Sequence, residues 1–362
     1  LEGFIMAKGK IRRMFPGGNT SYGFFSYYDY ILPQDEAERI FCIKGGPGVG
    51  KSTFMKKIGE QFLDMGYDVE FMHCSSDSDS IDGVVIPAKK TALLDGTAPH
   101  VVDPKNPGVV DEIIHLGDFW DEDGIRKNKD KIIKGNMEVK ENFKRAYRYI
   151  KAAYLIYEDS SEMVRKYTDI SKINKISQEF INIIFNDIEI SDRVGRERKL
   201  FASAITPKGL VNYLSTVLDT DKIYCVSGKP GTGTEVFLEK IKTAATERGF
   251  DVESFYCALD PFKLEHLIIR ELNISFTTSN EYHFADVEFE ECIDFDEFTN
   301  KSFINELVLE ENKQNFGFLL GTGIKNIVRA KSIHDDIEAY YAPNMDFEAV
   351  KLCMESTMAK IT

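Results

Sequence analysis

The stretch that decides the predicted fold is Gly45-Gly46-Pro47-Gly48-Val49-Gly50-Lys51-Ser52, with Thr53 following. It fits the pattern G-x-x-x-x-G-K-[ST], which is typical of a phosphate-binding loop. A short buried strand is predicted before it, over residues 39–43, and an amphipathic helix after it, over residues 54–63. In that arrangement the glycine-rich backbone and the helix N-terminus both present N–H groups to phosphate oxygens.

The residues of this loop have separate predicted roles. All nine positions from Gly45 to Thr53 are candidates for contact with a nucleotide. Lys51 is expected to reach the β- and γ-phosphates, and the Ser52 hydroxyl to bind Mg²⁺. The chain contains no base-reading motif such as N-K-x-D, which favours ATP over GTP. We therefore predict ATP and Mg²⁺ as cofactors.

A second carboxylate is needed to hold the metal opposite Ser52. Residues 91–94 predict a short apolar strand that ends at Asp95. We predict that Asp95 takes this role and acts in catalysis with Lys51, although a plain turn after a strand would look the same. Gly96 stands where a water-activating glutamate often follows. This weakens the case for fast hydrolysis and leaves phosphoryl transfer open.

Three further polar residues are weaker candidates. His100 could face the γ-phosphate as a catalytic sensor or proton carrier, or be a structural histidine held by Asp103. Thr97 is a second candidate sensor. Asp77 follows a predicted strand and either binds a second substrate or a metal-bound water, or caps a loop.

The same unit recurs later in the chain. The loop glycines and proline align at an offset of 183 residues, which pairs Gly45, Pro47, Gly48 and Gly50 with Gly228, Pro230, Gly231 and Gly233. We predict an internal duplication, with one unit over residues 11–195 and the other over residues 196–362. Upstream the offset is 186, and Thr20 and Thr206 are each expected to begin a helix that runs to about Leu32 or Leu218.

The second copy of the loop has lost the residues that act on a nucleotide. Thr234 aligns with Lys51, Glu235 with Ser52, and Thr278 with Asp95. A glutamate would repel phosphate and offers no hydroxyl for the metal. We therefore predict that the second loop keeps its shape but does not bind Mg-ATP.

The composition excludes several classes of protein. The 362 residues carry a net charge of −14, which disfavours a nucleic-acid partner. The basic run over residues 127–134 is expected to be a solvated helix face. No apolar run approaches the ~20 residues of a membrane span, and residues 1–13 lack the apolar core of a secretory signal. Six cysteines without C-x-x-C spacing predict reduced thiols in a cytoplasmic protein. The chain starts at Leu1, and we leave the residues before Met6 out of the fold prediction.

The loop over residues 45–52 with Asp95 resembles the P-loop NTPase superfamily. The wider pattern, which adds residues 95–104 and the altered second loop, resembles a group of bacterial proteins described as ATPases or as nucleotide-kinase-like. We predict an α/β fold of two tandem P-loop NTPase domains, each a mainly parallel sheet flanked by helices, packed as a pseudo-dimer. The resemblance implies no substrate.

Three functions fit these predictions. The first is a Mg²⁺-dependent ATPase with one competent site in the first half. The second is a small-molecule or nucleotide kinase in which helices predicted over residues 125–185 cover the phosphoryl acceptor. The third is a nucleotide-dependent switch or scaffold with negligible turnover.

Overall fold

The computed structural model describes residues 7–97 and 102–362. The first half contains β1 (Ile11–Met14), β2 (Gly17–Thr20), β3 (Gly23–Ser26), β4 (Arg39–Lys44), α1 (Lys51–Asp64), β5 (Val69–His73), β6 (Ile81–Ile86), β7 (Thr91–Asp95), β8 (Asp111–His115), α2 (Glu122–Arg126), α3 (Lys129–Arg165) and α4 (Ile170–Ile184). The second half contains β9 (Glu197–Leu200), β10 (Ser203–Thr206), β11 (Gly209–Asn212), α5 (Leu214–Val217), β12 (Lys222–Ser227), α6 (Thr234–Glu247), β13 (Val252–Tyr256), β14 (Leu264–Ile269), β15 (Ile274–Ser279), β16 (Glu291–Asp294), α7 (Glu306–Tyr341) and α8 (Phe347–Ile361).

Each half contains a six-stranded sheet, and the two sheets have the same strand order. The first runs β1-β5-β6-β7-β4-β8, and the second runs β9-β13-β14-β15-β12-β16. β6 and β14 are antiparallel to both of their neighbours, whereas the other neighbouring pairs are parallel. The protein is therefore α/β, with two similar mixed sheets of mostly parallel strands flanked by helices.

The two faces of each sheet lie in different apolar cores, because successive side chains of a strand point to opposite faces. In β4, Phe41 and Ile43 pack with the side chains of α1. Ile40 and Cys42, between them, lie in a cluster that also contains Phe255 of β13 and other residues of the second half. The two halves consequently share a core.

Helices are exchanged between the halves. α4 packs on α6, and its Ile173 and Phe180 lie in the core of the second sheet. α8 packs on α1, and its Val350 and Met354 lie in the core of the first sheet. Each sheet is thus completed by a helix that belongs, in sequence, to the other half.

The long helices α3 and α7 span 37 and 36 residues and pack along each other. The predicted solvated face at the start of α3 is confirmed, because Lys129, Lys131 and Lys134 are exposed. In the described part of the chain, no helix combines the length and the apolar character that crossing a membrane requires. All six cysteines are free thiols, and four of them are buried.

The prediction that helices begin at Thr20 and Thr206 is wrong. Both residues instead end the first strand of a β-hairpin with a two-residue loop, β2–β3 and β10–β11. The Thr20 hydroxyl accepts a hydrogen bond from the N–H of Tyr22 and donates one to the carbonyl of Gly23. Gly23 has a φ of +90°, a conformation that favours glycine. A threonine that bonds its own turn in this way satisfies the backbone without starting a helix.

Candidate functional site

The glycine-rich loop joins the carboxyl end of β4 to the N-terminus of α1, so the strand and the helix predicted on its two sides are confirmed. Gly48 and Gly50 have φ values of +67° and +91°. Residues with a Cβ atom are strained in this conformation, and the glycines let the backbone fold back just before α1 begins. The first N–H groups of α1 are free of helical partners, as at any helix start.

Lys51, the first residue of α1, lies over its own loop. Its Nζ donates to the carbonyls of Gly46 at 2.8 Å and Gly45 at 3.2 Å. The same atom lies 3.7 Å from Oδ2 of Asp95, and the two side chains are only 11% and 15% exposed. A partly buried ammonium group is therefore surrounded by oxygen atoms at the mouth of the loop.

Asp95 is brought to Lys51 by strand pairing. β7 lies parallel to β4, with Asp95 opposite Ile43 at the carboxyl end of the sheet. Its Oδ1 accepts hydrogen bonds from the backbone N–H and the hydroxyl of Thr97. Thr97, which the sequence suggested as a sensor, thus orients the carboxylate while Oδ2 faces the lysine.

Ser52 lies next to Lys51 in the first turn of α1. Its Oγ accepts a hydrogen bond of 3.0 Å from the backbone N–H of Ile81, the first residue of β6. Asp77, another sequence candidate, accepts a bond from Ser80 and lies 3.5 Å from Nζ of Lys331 on α7. The bond between Ile81 and Ser52 ties the start of β6 to α1, and the contact between Asp77 and Lys331 ties the preceding loop to α7. His100 lies outside the described residues.

Lys44, at the carboxyl end of β4, is a residue of this site that the sequence did not indicate. Its Nζ donates to the carbonyls of Gly96 at 2.7 Å and Val102 at 2.8 Å, and to the carboxylate of Asp103 at 2.8 Å. A lysine at the end of an otherwise apolar strand was the available signal. Lys44 holds the chain that follows β7, and the sequence alone does not show that β7 lies beside β4.

The loop is covered by the last turn of α7, a helix of the second half. A Cβ atom at Gly46 would lie 2.7 Å from the ring of Tyr341, and one at Gly48 would lie 3.0 Å from the carbonyl of Glu338. Both neighbours belong to the last turn of α7. Of the helices predicted over residues 125–185, α4 packs on the second sheet, whereas α3 packs along α7 and also contacts β2 of the first half.

The second loop has the same backbone shape but different surroundings. Gly231 and Gly233 have φ values of +92° and +83°. A Cβ atom at Gly231 would lie 2.1 Å from the carbonyl of Ser161, and one at Gly233 would lie 2.5 Å from Ile173. Among the described residues, Oε2 of Glu235 is buried without a hydrogen-bond partner. The second loop is therefore closely packed beneath α3 and α4 and carries a buried carboxylate.

Comparisons with known proteins were made at three levels. No protein-family model, no curated protein and no solved structure matches this chain. A functional proposal must consequently come from the residues of the site.

Proposed function

We propose that this protein binds ATP with Mg²⁺ at the loop over residues 45–53 and hydrolyses it. The observation that carries the proposal is the convergence of Lys51, at the start of α1, and Asp95, at the carboxyl end of β7, with Nζ and Oδ2 at 3.7 Å. Ser52 and Asp95 would hold the metal, since hydroxyl and carboxylate oxygens are donors that Mg²⁺ prefers. The bound Mg²⁺ would neutralise charge that develops on the transferred phosphoryl group.

The residues of the loop can bind a triphosphate once the ring of Tyr341 moves off Gly46. Lys51 would exchange its bonds to the Gly45 and Gly46 carbonyls for bonds to phosphate oxygens. The free N–H groups at the start of α1 would supply further donors. The Ser52 oxygen accepts one hydrogen bond, from Ile81, and a hydroxyl oxygen has a second lone pair for a metal.

We propose that the second half does not bind Mg-ATP. Thr234 and Glu235 replace the lysine and the serine, and Ser161 and Ile173 lie where phosphates would enter the second loop. Burying a second set of negative charges beside the unpaired carboxylate of Glu235 would be unfavourable. The second half then acts as a structural partner that supplies α7 and α8 to the first.

A nucleotide-dependent switch is the second candidate, and one feature favours it. The last turn of α7 lies on the nucleotide loop through Tyr341 and Glu338. Earlier in the same helix, Phe316 and Leu320 line a cavity in the second half. A ligand that displaces Tyr341 would therefore act on an element that reaches both halves.

The proposal is tested with Lys51→Ala and, as a matched control, Thr234→Ala at the equivalent position. Mg-ATP is expected to raise the melting temperature of the wild type and of Thr234→Ala, but not of Lys51→Ala. A shift that depends on Thr234 and survives Lys51→Ala would overturn the site assignment.

Measuring ADP and inorganic phosphate together distinguishes the candidate activities in the same samples. Equal amounts of ADP and phosphate from ATP alone support hydrolysis. ADP that forms without matching phosphate release, and only when a metabolite mixture is added, supports a kinase, and mass spectrometry would then identify the phosphorylated product. Tight binding without ADP formation under either condition supports the switch.

A further inference from the structure

A second group of ligand-forming side chains lies in the second half, apart from the nucleotide loop. Glu265 and His266 are neighbours on β14, and His283 follows β15. All three are buried, with exposed fractions of 3%, 0% and 8%. One nitrogen or oxygen atom from each lies within 4.8 Å of those from the other two.

The hydrogen bonds of His266 define which ring nitrogen is available. Nδ1 lies 2.8 Å from the Thr277 hydroxyl, and that hydroxyl donates to the carbonyl of Thr278 at 3.3 Å. Because a hydroxyl has one hydrogen, it must accept from the Nδ1–H of His266. Nε2 then carries a lone pair, and among the described residues this fully buried atom has no hydrogen-bond partner. A buried polar atom left without a partner in this way is unfavourable.

His283 is held in a similar way. Its Nε2 lies 2.8 Å from the Thr278 hydroxyl, and its Nδ1 faces Oε2 of Glu265 at 3.8 Å. Each histidine thus has one nitrogen bonded to a threonine and the other directed into the cluster. Outer partners orient metal-binding histidines in this manner.

The Glu265 carboxylate is buried and is attracted by the ammonium group of Lys263. Within residues 7–97 and 102–362, the basic group within 4.0 Å of it is the His283 ring, which forms an ion pair only when protonated. The nearby ammonium group of Lys263 donates to the hydroxyl of Tyr157 at 2.8 Å. A carboxylate that is 3% exposed is costly unless a cation lies beside it.

We propose that Glu265, His266 and His283 bind one divalent metal ion, with Zn²⁺ preferred. Two imidazoles and one carboxylate form a frequent zinc ligand set, with bonds of about 2.0–2.2 Å. Two such ligands at a tetrahedral angle lie about 3.4 Å apart. The 3.8 Å between His283 and Glu265 therefore needs only a small movement to close around an ion.

The site has room for a fourth ligand. A cavity of about 60 Å³ adjoins it, lined by Glu265 and His283 together with Asn280 and Tyr282. This volume holds a water molecule, which needs about 10–15 Å³. Three protein ligands and one open position are typical of a zinc site that takes water or a small oxygen ligand. The first half has Gly83 at the position of His266, so the same ligand set is not repeated there.

The test uses the full chain, stripped of metal with a chelator and titrated with Co²⁺ as a spectroscopic probe. We expect one Co²⁺ per chain, with the visible absorption of a four-coordinate ion, and displacement of that absorption by Zn²⁺. Because the wild type alone gives this result, the test does not depend on any variant folding. The lack of a visible cobalt band in excess Co²⁺ would overturn the proposal.

Variants locate the site. His266→Gln and His283→Gln should weaken Co²⁺ binding by more than the ~10–100-fold typical of losing an outer partner, and Thr277→Val should fall within that range. His73→Gln removes a buried imidazole outside the cluster and should leave Co²⁺ binding unchanged. Cobalt binding that survives in folded His266→Gln and His283→Gln proteins would also overturn the proposal.

Discussion

Lys51 contacts two carbonyls and one carboxylate of its own chain, and each contact matters for ligand binding. On the proposed function, the two carbonyl bonds would be lost as the ammonium turned to a phosphate. Asp95, in contrast, would keep its place through Thr97 and hold the metal next to Ser52. The two residues would therefore contribute to different parts of the proposed binding free energy.

Asp95→Asn separates these parts. The amide oxygen can still accept from Thr97, but the charge that attracts Mg²⁺ is lost. We expect the gain in ATP affinity that Mg²⁺ gives to the wild type to fall by about tenfold or more, or ~1.4 kcal/mol. Isothermal titration calorimetry with and without Mg²⁺ measures this gain in ATP affinity for both proteins. An unchanged magnesium effect would assign the metal to other residues.

His73 makes stability depend on pH. Burial, together with the guanidinium of Arg13 near Nε2, lowers the pKa of its ring to about 4. Its Nδ1–H bonds the carbonyl of Ser78, a contact that acts in the opposite direction. The net result is a neutral buried imidazole at physiological pH.

The unfolded chain binds a proton on this residue near pH 6.5, whereas the folded protein does so only near pH 4. The stability contribution is therefore complete above about pH 6.5 and is lost as the pH falls toward 4, by up to about 3 kcal/mol. We expect His73→Gln to lose less stability than the wild type between about pH 7 and pH 4.5 in urea unfolding. His115→Gln, at an exposed histidine, is the control and should match the wild type.

At the scale of elements, four strands are joined by a buried ionic network. Arg12 of β1 pairs with Glu70 of β5 at 2.6 Å and with Glu253 of β13 at 2.7 Å. Arg198 of β9 pairs with the same two glutamates at 2.6 and 3.2 Å. Burial would raise the pKa of Glu70, but Arg198 and Arg12 hold it below its usual value. Each arginine thus connects both halves.

Glu70→Gln should be strongly destabilising. It leaves the buried Arg12 and Arg198 to share Glu253, which also pairs with Arg270, and uncompensated buried charges cost about 3–5 kcal/mol. Denaturant unfolding measures the loss. Glu122→Gln is the control, because its pair with Arg126 is exposed and worth at most about 1 kcal/mol. A loss at Glu70 no larger than at Glu122 would show that the network contributes nothing net.

Local features of the chain were predictable because the residues that cause them are adjacent. The glycines, Lys51 and the apolar runs on either side determine strand, loop and helix within a few residues. The repeated spacing likewise predicts two similar halves. The hairpin at Thr20 was mistaken for a helix because a threonine can cap a helix or bond a turn, and Gly23 decides for the turn.

Features that depend on distant contacts were not predictable. The run over residues 81–86 is fully buried and apolar apart from Asp82, and nothing in it shows that β6 is antiparallel. The amphipathic pattern of α4 predicts a buried face but not the sheet that covers it. His266 and His283 are 17 residues apart with no spacing motif, and only the pairing of β14 with β15 brings them together.

At the scale of the molecule, the exchanged helices make the halves dependent on each other. Residues 1–195 alone would lack Val350, Met354 and Ile361, which are buried on the first sheet. Each large apolar side chain contributes about 1.5–3 kcal/mol when buried, and three together approach the whole stability of a domain.

We expect that neither residues 1–195 nor residues 196–362 unfold cooperatively alone. A mixture of the two fragments refolded together is expected to unfold cooperatively. Thermal unfolding followed by circular dichroism compares the three samples. A cooperative transition for residues 1–195 in isolation would show that α8 is dispensable for that half.

The position of α8 also affects synthesis of the protein on the ribosome. About 300 residues separate the glycine-rich loop from α8 in sequence. At ~5–20 residues per second, roughly 15–60 s therefore pass between synthesis of this loop and synthesis of the helix that completes the core of the first sheet. During this time, the α1 side of the first sheet presents an apolar surface that chaperones can bind. The first half is therefore translated first, but its core is completed only when the last helix of the chain has been made.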